Sequence, residues 1–517
     1  MGIMSASETT FVSNATTLRS VSPSTGALVG EAPVMEQAQV VDAVGRAREA
    51  QRAWAAKPVE ERAAALMKYR DALVERSEAL VELIVRETGK PRHEALLHEI
   101  GASADLITFC AKVAPRALSP REMPLRVLRH RRSYVHYVPR GVVGVIAPWN
   151  FPLVIPLSGV VPALISGSAV VLKPSEATPM IALEAKRVWD RSGLPPELFA
   201  VVTGYADTAK ALIEAGVDMV HFTGSVANGR RVAAACAERL IPCILELGGK
   251  APLVACADAD LELTANSSVF GAFANSGQIC LSVERLYAHH DVHDQLVERI
   301  VELTGQLKQD DPEGGWVDVG AMTVGRQIDV VDELVTDALD RGAVLRAGGK
   351  RASRKGQFYM PTVLTGCDHR MRIMREETFG PVLPIMKVDN DDQAVELANE
   401  SHLGLNAYVF SSNRDHARRV AERIDAGSVL INDVLSNYMT PEVPFGGVKQ
   451  SGLGQVHGEK SLQDMCEVRH VSYDRVRPLA RNPFGFPYTA QRFRWVIKGL
   501  RTLFSGGDVL QKISDLL

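Results

Sequence analysis

The chain has 517 residues, 46% of them hydrophobic and 23% charged, with 58 Lys and Arg against 61 Asp and Glu. That length predicts two to four domains with substantial cores. A net charge of −3 leaves no general attraction for nucleic acid or anionic lipid, so any polyanion would need a local basic patch.

The seven cysteines (110, 236, 243, 256, 280, 367 and 466) are odd in number, scattered and free of any Cys-x-x-Cys pair. They argue against a disulfide framework or a zinc centre, and for a reducing, cytoplasmic setting. Residues 1–20 are polar and rich in Ser and Thr without a basic start and apolar core, so they read as a flexible leader, not a secretory signal. Met1-Gly2 would suit an N-myristoyl chain only with Ser or Thr at the position held by Ala6. After the turn cluster Ser22-Pro23-Ser24-Thr25-Gly26, helical periodicity covers about 36–55 and 59–89.

The uncharged run from Phe151 to Leu172 is long enough to span a bilayer. Pro156, Pro162, Gly159 and Gly167 interrupt it, and its end reads as a buried helix passing into a core strand. Short apolar runs at Val142–Ile146, Ala169–Leu172, Phe199–Val202, Met219–Phe222 and Cys243–Leu245 alternate with helical segments such as 178–193 and 205–215. This predicts a parallel sheet with helices on both faces. A second alternating set runs from Ala251 to about Val448, with helices near 261–277, 291–309, 324–341, 391–399 and 413–424. Two α/β domains follow, without an internal repeat.

The motifs give these domains chemistry. Cys280, Glu246 and Asn150 bring a sulfur nucleophile, a carboxylate base and an amide donor suited to work on a carbonyl. The usual Gly-x-Gly-x-x-Gly is missing, but His221-Phe222-Thr223-Gly224-Ser225-Val226-Ala227-Asn228-Gly229 reads as a strand, a Gly-rich turn and a helix start that can hold a pyrophosphate. A simple tight βα turn is the other reading. Arg230-Arg231 stands where an ATP loop needs Lys and Ser or Thr. Lys173 and Glu176, three apart at a strand end, suit ribose hydroxyls or form a surface ion pair; a carboxylate there would repel a 2′-phosphate and so favours NAD over NADP.

Seven motifs in order carry a resemblance: Pro-Trp-Asn-Phe-Pro (148–152), Lys173-Pro-Ser-Glu176, Phe-Thr-Gly-Ser (222–225), Glu-Leu-Gly-Gly-Lys (246–250), Gly277-Gln-Ile-Cys280, Glu377-Thr-Phe-Gly-Pro381 and Pro444-Phe-Gly-Gly-Val-Lys-Gln-Ser-Gly452. With 34 residues from Glu246 to Cys280, the chain resembles the NAD(P)-dependent aldehyde dehydrogenases over about residues 20–475. The resemblance implies an α/β fold: a Rossmann-like cofactor domain (21–121 and 140–248), a second α/β catalytic domain (249–449), and a small β oligomerisation element (122–139 and 464–480). Cys280 then attacks the aldehyde, the Asn150 amide and the Cys280 N–H hold the oxyanion, and Glu246 activates the water that cleaves the thioester. Cofactor contacts carried over are Trp149, Lys173, Ser175, Glu176, Gly204, Phe222, Thr223, Gly224, Ser225, Gly229, Leu247, Glu377 and Phe379. No metal is implied.

The carried-over substrate tunnel comprises Phe151, Ile155, Ser158, Ile279, Leu281 and Phe445, a mostly apolar set that favours an uncharged aliphatic or aromatic aldehyde. Arg285 is the nearest candidate anchor for a semialdehyde carboxylate. A CoA-acylating enzyme and a catalytically silent scaffold are the competing functions; Glu246 speaks against the first and the intact triad of groups against the second. The family places an oligomerisation hairpin at the basic cluster Arg121, Arg126, Arg129, His130, Arg131 and Arg132, its strand pairing near Glu467 to Tyr473, which implies a homodimer or homotetramer and not a nucleic-acid site. Residues 481–517 depart from the family pattern. Phe493, Val496, Ile497, Leu500, Leu503 and Phe504 recur at helical spacing beside Arg492, Arg494, Lys498 and Arg501, with a stop at Gly506-Gly507. This amphipathic helix either meets a membrane surface through 491–504 or packs on protein.

Overall fold

The computed structural model describes residues 16–475 and 485–504. Contacts divide the chain into two compact units, Met1–Ser119 with Tyr137–Arg469, and Pro120–His136 with His470–Leu517. Both expected α/β sheets fall in the first.

The first sheet has six strands in the spatial order Gly452–Leu453, Cys243–Glu246, Met219–Thr223, Val142–Ile146, Ala169–Lys173 and Phe199–Val201. All neighbours are parallel except Gly452–Leu453, which runs antiparallel to Cys243–Glu246. Val142–Ile146 and Ala169–Lys173 are buried at every position, as strands covered on both faces must be. From Val142–Ile146 the chain winds outward to Phe199–Val201, then returns to the opposite side for Met219–Thr223. That reversal opens a crevice at the carboxyl ends of the two central strands, where Pro148-Trp149-Asn150 and Gly224-Ser225 emerge.

The helix Val154–Ser166 is buried throughout and ends at Gly167, which takes φ +102°. Contrary to the expectation of interruption, it runs through Pro162; Pro156 sits in the first turn, where an N–H has no partner within the helix. Its 13 residues reach only about 20 Å. Among the described residues no helix is long and apolar enough to cross a membrane.

The second sheet has seven strands in the order Val344–Ala347, Thr362–Thr365, Val382–Val388, Val283–His289, Ala251–Ala255, Asn406–Phe410 and Ser428–Ile431. Only Val344–Ala347 is antiparallel to its neighbour. Its helices are Leu261–Phe273, His290–Gln306, Gly325–Asp340, Asp391–Asn399 and Arg414–Ala421. The periodicity at 59–89 resolves into Val59–Glu75 and Ser77–Thr88, parted at Arg76. A π-helix at Ala95–Gly101 leading into Ala102–Ala117 has no counterpart in the sequence reading.

Cys466–Asp474, Arg131–Pro139 and Arg121–Glu122 form a three-stranded sheet in that order, most of it in the second unit, with Tyr137–Pro139 and Cys466–Arg469 counted in the first. Ser133 Oγ donates to Ser472 Oγ at 3.1 Å and Tyr134 stacks on Tyr473 at 5.9 Å. The expected amphipathic helix is present as Ala490–Phe504. Of the leader expected over residues 1–20, residues 1–15 lie outside the described residues, as does the stop at Gly506-Gly507; its last part is not loose, because Thr17–Val21 is a strand paired antiparallel with Leu28–Pro33.

Candidate active site

The helix Leu261–Phe273 ends four residues before the expected 277 because the next turn is left-handed: φ is +48° at Asn275, +54° at Ser276 and +71° at Gly277. L-residues pay about 1–2 kcal/mol each in that region, so this turn needs external support. Asn275 N–H donates to Glu94 at 2.8 Å, and its carboxamide donates to the Asn150 carbonyl at 3.1 Å. Ser276 Oγ donates to the Gly320 carbonyl at 3.0 Å, and Gln278 Oε1 accepts from Thr323 N–H at 2.9 Å. A Cβ on Gly277 would lie 2.1 Å from the Gly380 oxygen. The turn delivers Cys280 to the crevice, where it shares a cavity of about 280 Å³ with Asn150. Burial, then the charges of Glu377 and Glu246, raise the Cys280 thiol well above its ordinary value; backbone N–H groups of Cys280 and Leu281 oppose them. All seven cysteines are free thiols.

Asn150 is buried and donates one amide proton to the Gln278 carbonyl at 2.9 Å. A primary amide carries two protons, so the second is available to an oxygen beside Cys280. Beneath it lies a polar network that the sequence reading missed. Lys90 Nζ donates to Glu99 at 2.7 Å and to the Asn150 carbonyl at 3.0 Å, and stands 3.7 Å above the Phe151 ring. Glu99 also accepts from Leu153 and Val154 N–H. One ion pair therefore ties the start of the helix Val154–Ser166, the amide donor and the segment after Thr88 into a single block.

Glu246 is buried at the end of its strand, and neither carboxylate oxygen has a hydrogen-bond partner. Burial raises it well above the usual carboxylate range. It does not line the cavity, but Leu247 and Gly248 do. Gly248 and Gly249 pass between two obstacles: a Cβ on Gly248 would sit 2.4 Å from Glu377 Oε2, and one on Gly249 would sit 2.2 Å from the Cys280 oxygen. Gly249 N–H donates to Glu377 at 2.9 Å. Burial and then the charge of Glu284 push Glu377 up to about 8. Glu284, paired with Lys250 at 2.7 Å, accepts from the N–H groups of Thr378 and Phe379 and so fixes this turn, in which Phe379 takes φ +48°.

The cavity also collects Trp149, Ile155, Thr223, Gly224, Ser225, Glu377 and Phe379, with Trp149 and Phe379 edge to face at 5.5 Å. Gln327 and Val330 line it too, without any motif to announce them. Ser225 caps the helix Val226–Glu238 by accepting from Asn228 N–H, leaving a helix N-terminus at the crevice. Gly229 packs closely on Leu247, whose terminal methyl a Cβ there would meet at 2.4 Å. Lys173 closes its strand in register with Ile146, buried, with Nζ 3.4 Å from the exposed Glu176. Ser175 and Phe222 are also buried, and Gly204 has φ +154°. Glycine turns, a helix N-terminus and polar groups at the ends of adjacent parallel strands fit a dinucleotide.

Of the tunnel residues, Ile155 lines the cavity with Cys280. Phe151, Ser158, Ile279, Leu281 and Phe445 are buried. Ser158 Oγ donates to the Ile155 carbonyl at 2.7 Å, and Phe445 meets Tyr438 edge to face at 5.1 Å. Arg285 is buried and donates to the carbonyls of Lys250, Leu397 and Ala398 and to Tyr287 Oη.

A thiol and an amide donor at a dinucleotide crevice define an oxidoreductase for carbonyl compounds. The chain belongs to the aldehyde dehydrogenase family, whose family model matches residues 11–471, and is an NAD(P)-dependent enzyme acting on aldehydes. It is 39% identical to a 4,4′-diapolycopene aldehyde oxidase of Methylomonas sp over 95% of this chain and 92% of the relative. It is 37% identical to a protein of Mycobacterium tuberculosis (strain H37Rv) named as a succinate-semialdehyde dehydrogenase of the NADP(+) type, over 90% of each. Among solved structures, an NAD-dependent aldehyde dehydrogenase from Sinorhizobium meliloti superposes with a TM-score of 0.86 at 37% identity, covering 90% of this chain and 92% of the other.

Proposed function

We propose that the enzyme oxidises an uncharged, apolar aldehyde to its carboxylic acid, with NAD preferred to NADP. The observation that carries this reading is the meeting of Cys280 and the Asn150 amide in one cavity beside Trp149 and Phe379. Cys280 adds to the aldehyde carbon as a thiolate, and the oxygen that becomes anionic takes hydrogen bonds from Asn150 and the Cys280 N–H. When bound, the nicotinamide accepts hydride, which leaves a thioester on Cys280. Glu246 then takes a proton from the water that cleaves it, a role supported by its raised affinity for protons and its unengaged oxygens. Glu377 and Phe379, held by Glu284, would hold the nicotinamide ribose and ring.

The substrate class rests on charge. Among the described residues no Lys or Arg lines the cavity, and the donors of Arg285 are spent on backbone carbonyls and a tyrosine. A semialdehyde carboxylate would enter uncompensated. The Methylomonas relative, whose name specifies a 4,4′-diapolycopene aldehyde, agrees with this better than the mycobacterial one, whose name specifies a semialdehyde. Glu176 supports NAD, because its exposed carboxylate would face a 2′-phosphate. An oligomer, a dimer or a dimer of dimers, is proposed through the edge strand Cys466–Asp474.

The test is NAD(P) reduction with aldehydes graded by length and charge, without CoA. Turnover of long apolar aldehydes well above succinate semialdehyde is the expected result. Activity only on addition of CoA would overturn hydrolysis, and preference for the semialdehyde would overturn the substrate class.

A further inference from the structure

We propose that the helix Ala490–Phe504 docks the enzyme on an anionic lipid bilayer. Phe493, Val496, Leu500 and Phe504 fall within about 80° of one another around the helix, and they are 66%, 42%, 51% and 58% exposed. The row stays largely open to solvent, although the Arg126 guanidinium lies over its last ring, that of Phe504. Arg494, Lys498 and Arg501 follow one flank and Arg492 the other, and the helix contains no acid. Phe486 and Tyr488, just before it, are also exposed.

The rest of the smaller unit extends the same surface. The loop between Glu122 and Arg131 exposes Met123, Val127 and Leu128 among Arg126 and Arg129, and the Arg126 guanidinium lies 4.9 Å over the Phe504 ring. Residues 120–136 and 470–517 hold 13 Lys and Arg against 4 Asp and Glu, a net +9, whereas the whole chain carries −3; the remainder is therefore −12. Positive charge has been gathered into one small unit together with exposed aromatic and aliphatic groups.

That combination chooses the occupant. A second copy laid on this face would set two rows of arginines against each other. Anionic headgroups would neutralise the row while acyl chains received the apolar face. A polynucleotide would answer the charge and leave the apolar row in water. With 15 residues and four cations the helix lies in the plane of the surface. The inference is independent of which aldehyde is oxidised.

The test is co-flotation of the full-length enzyme with phosphatidylcholine vesicles, with and without phosphatidylglycerol, at physiological ionic strength. Flotation is expected only with phosphatidylglycerol, reversed by high salt. The doubles Val496→Asp/Leu500→Asp and Arg494→Glu/Lys498→Glu should each lower the bound fraction by more than about tenfold, with oxidation of a water-soluble aldehyde unchanged as the control for folding. Three results would overturn the proposal: no flotation with either vesicle, unaltered flotation of both variants, or a fall in sedimentation mass of the Asp double without vesicles, which would assign the face to a second copy.

Discussion

Asn150 carries two jobs on one amide. One proton holds the turn at Gln278 and the other serves the reacting oxygen, so its replacement removes a donor and a brace together. Asn150→Ala should lower kcat by about 10²–10³, the usual cost of one oxyanion donor, while thermal unfolding shifts modestly. Glu246→Gln separates the half-reactions: the first turnover of NADH survives as a burst and steady-state turnover falls. Both Cys280 and Glu246 bind protons more tightly than usual and must release them to act, so kcat, which contains both half-reactions, should rise with pH across the neutral range; a profile flat from pH 6 to pH 9 would contradict these roles. Cys280 and Asn150, which share one cavity, and the buried Glu246 were legible as candidates because their neighbours are unusual runs. Lys90, Glu94 and Glu99 were not, since a charged residue declares a buried partner only once the chain has folded around it.

At the scale of elements, the π-helix explains why that network was hidden. Glu94 and Glu99 are five apart, about 140° apart on an α-helix, whereas i→i+5 winding brings such residues towards one face. Sequence periodicity, tuned to 3.6 residues, could not place both carboxylates under the site. Strands of the first sheet were legible from continuous apolar runs, and the helix Val154–Ser166 from its lack of charge. The left-handed turn at 275–277 was not, because Asn and Ser do not advertise positive φ as glycine does. A second buried acid shows what such elements cost. Glu87 accepts from the N–H groups of Met180 and Ile181 and from Ser20 Oγ, joining the strand Thr17–Val21 to the helix Pro179–Arg191. Burial raises it to about 7 against these bonds. Its folded pKa lies above the unfolded one, so its contribution is whole below about pH 4.5 and is lost as pH rises through 7. From pH 5 to pH 8, wild type should lose about 2.5 kcal/mol relative to Glu87→Gln in urea unfolding; a constant difference would remove the argument.

The whole molecule separates tasks by charge and by edge. The first sheet closes its Cys243–Glu246 side with the short antiparallel strand Gly452–Leu453, whereas the smaller sheet leaves the nine-residue strand Cys466–Asp474 at an edge with Val468 66% exposed. Such an edge invites pairing with another chain. Val468→Asp should lower the sedimentation mass of the enzyme while leaving the unfolding midpoint of the isolated subunit little changed. The strand Arg131–Pro139 was legible through its alternation of aromatic and β-branched residues; the segregation of positive charge was not, because a balanced total conceals it. One consequence follows from the two glycines after Leu247. Only a bare peptide ribbon, hydrogen-bonded to Glu377, separates that acid from the carbonyl of Cys280. A shift of Glu377 would therefore be passed to the Cys280 carbonyl through a strip of chain that has no side chain to cushion it.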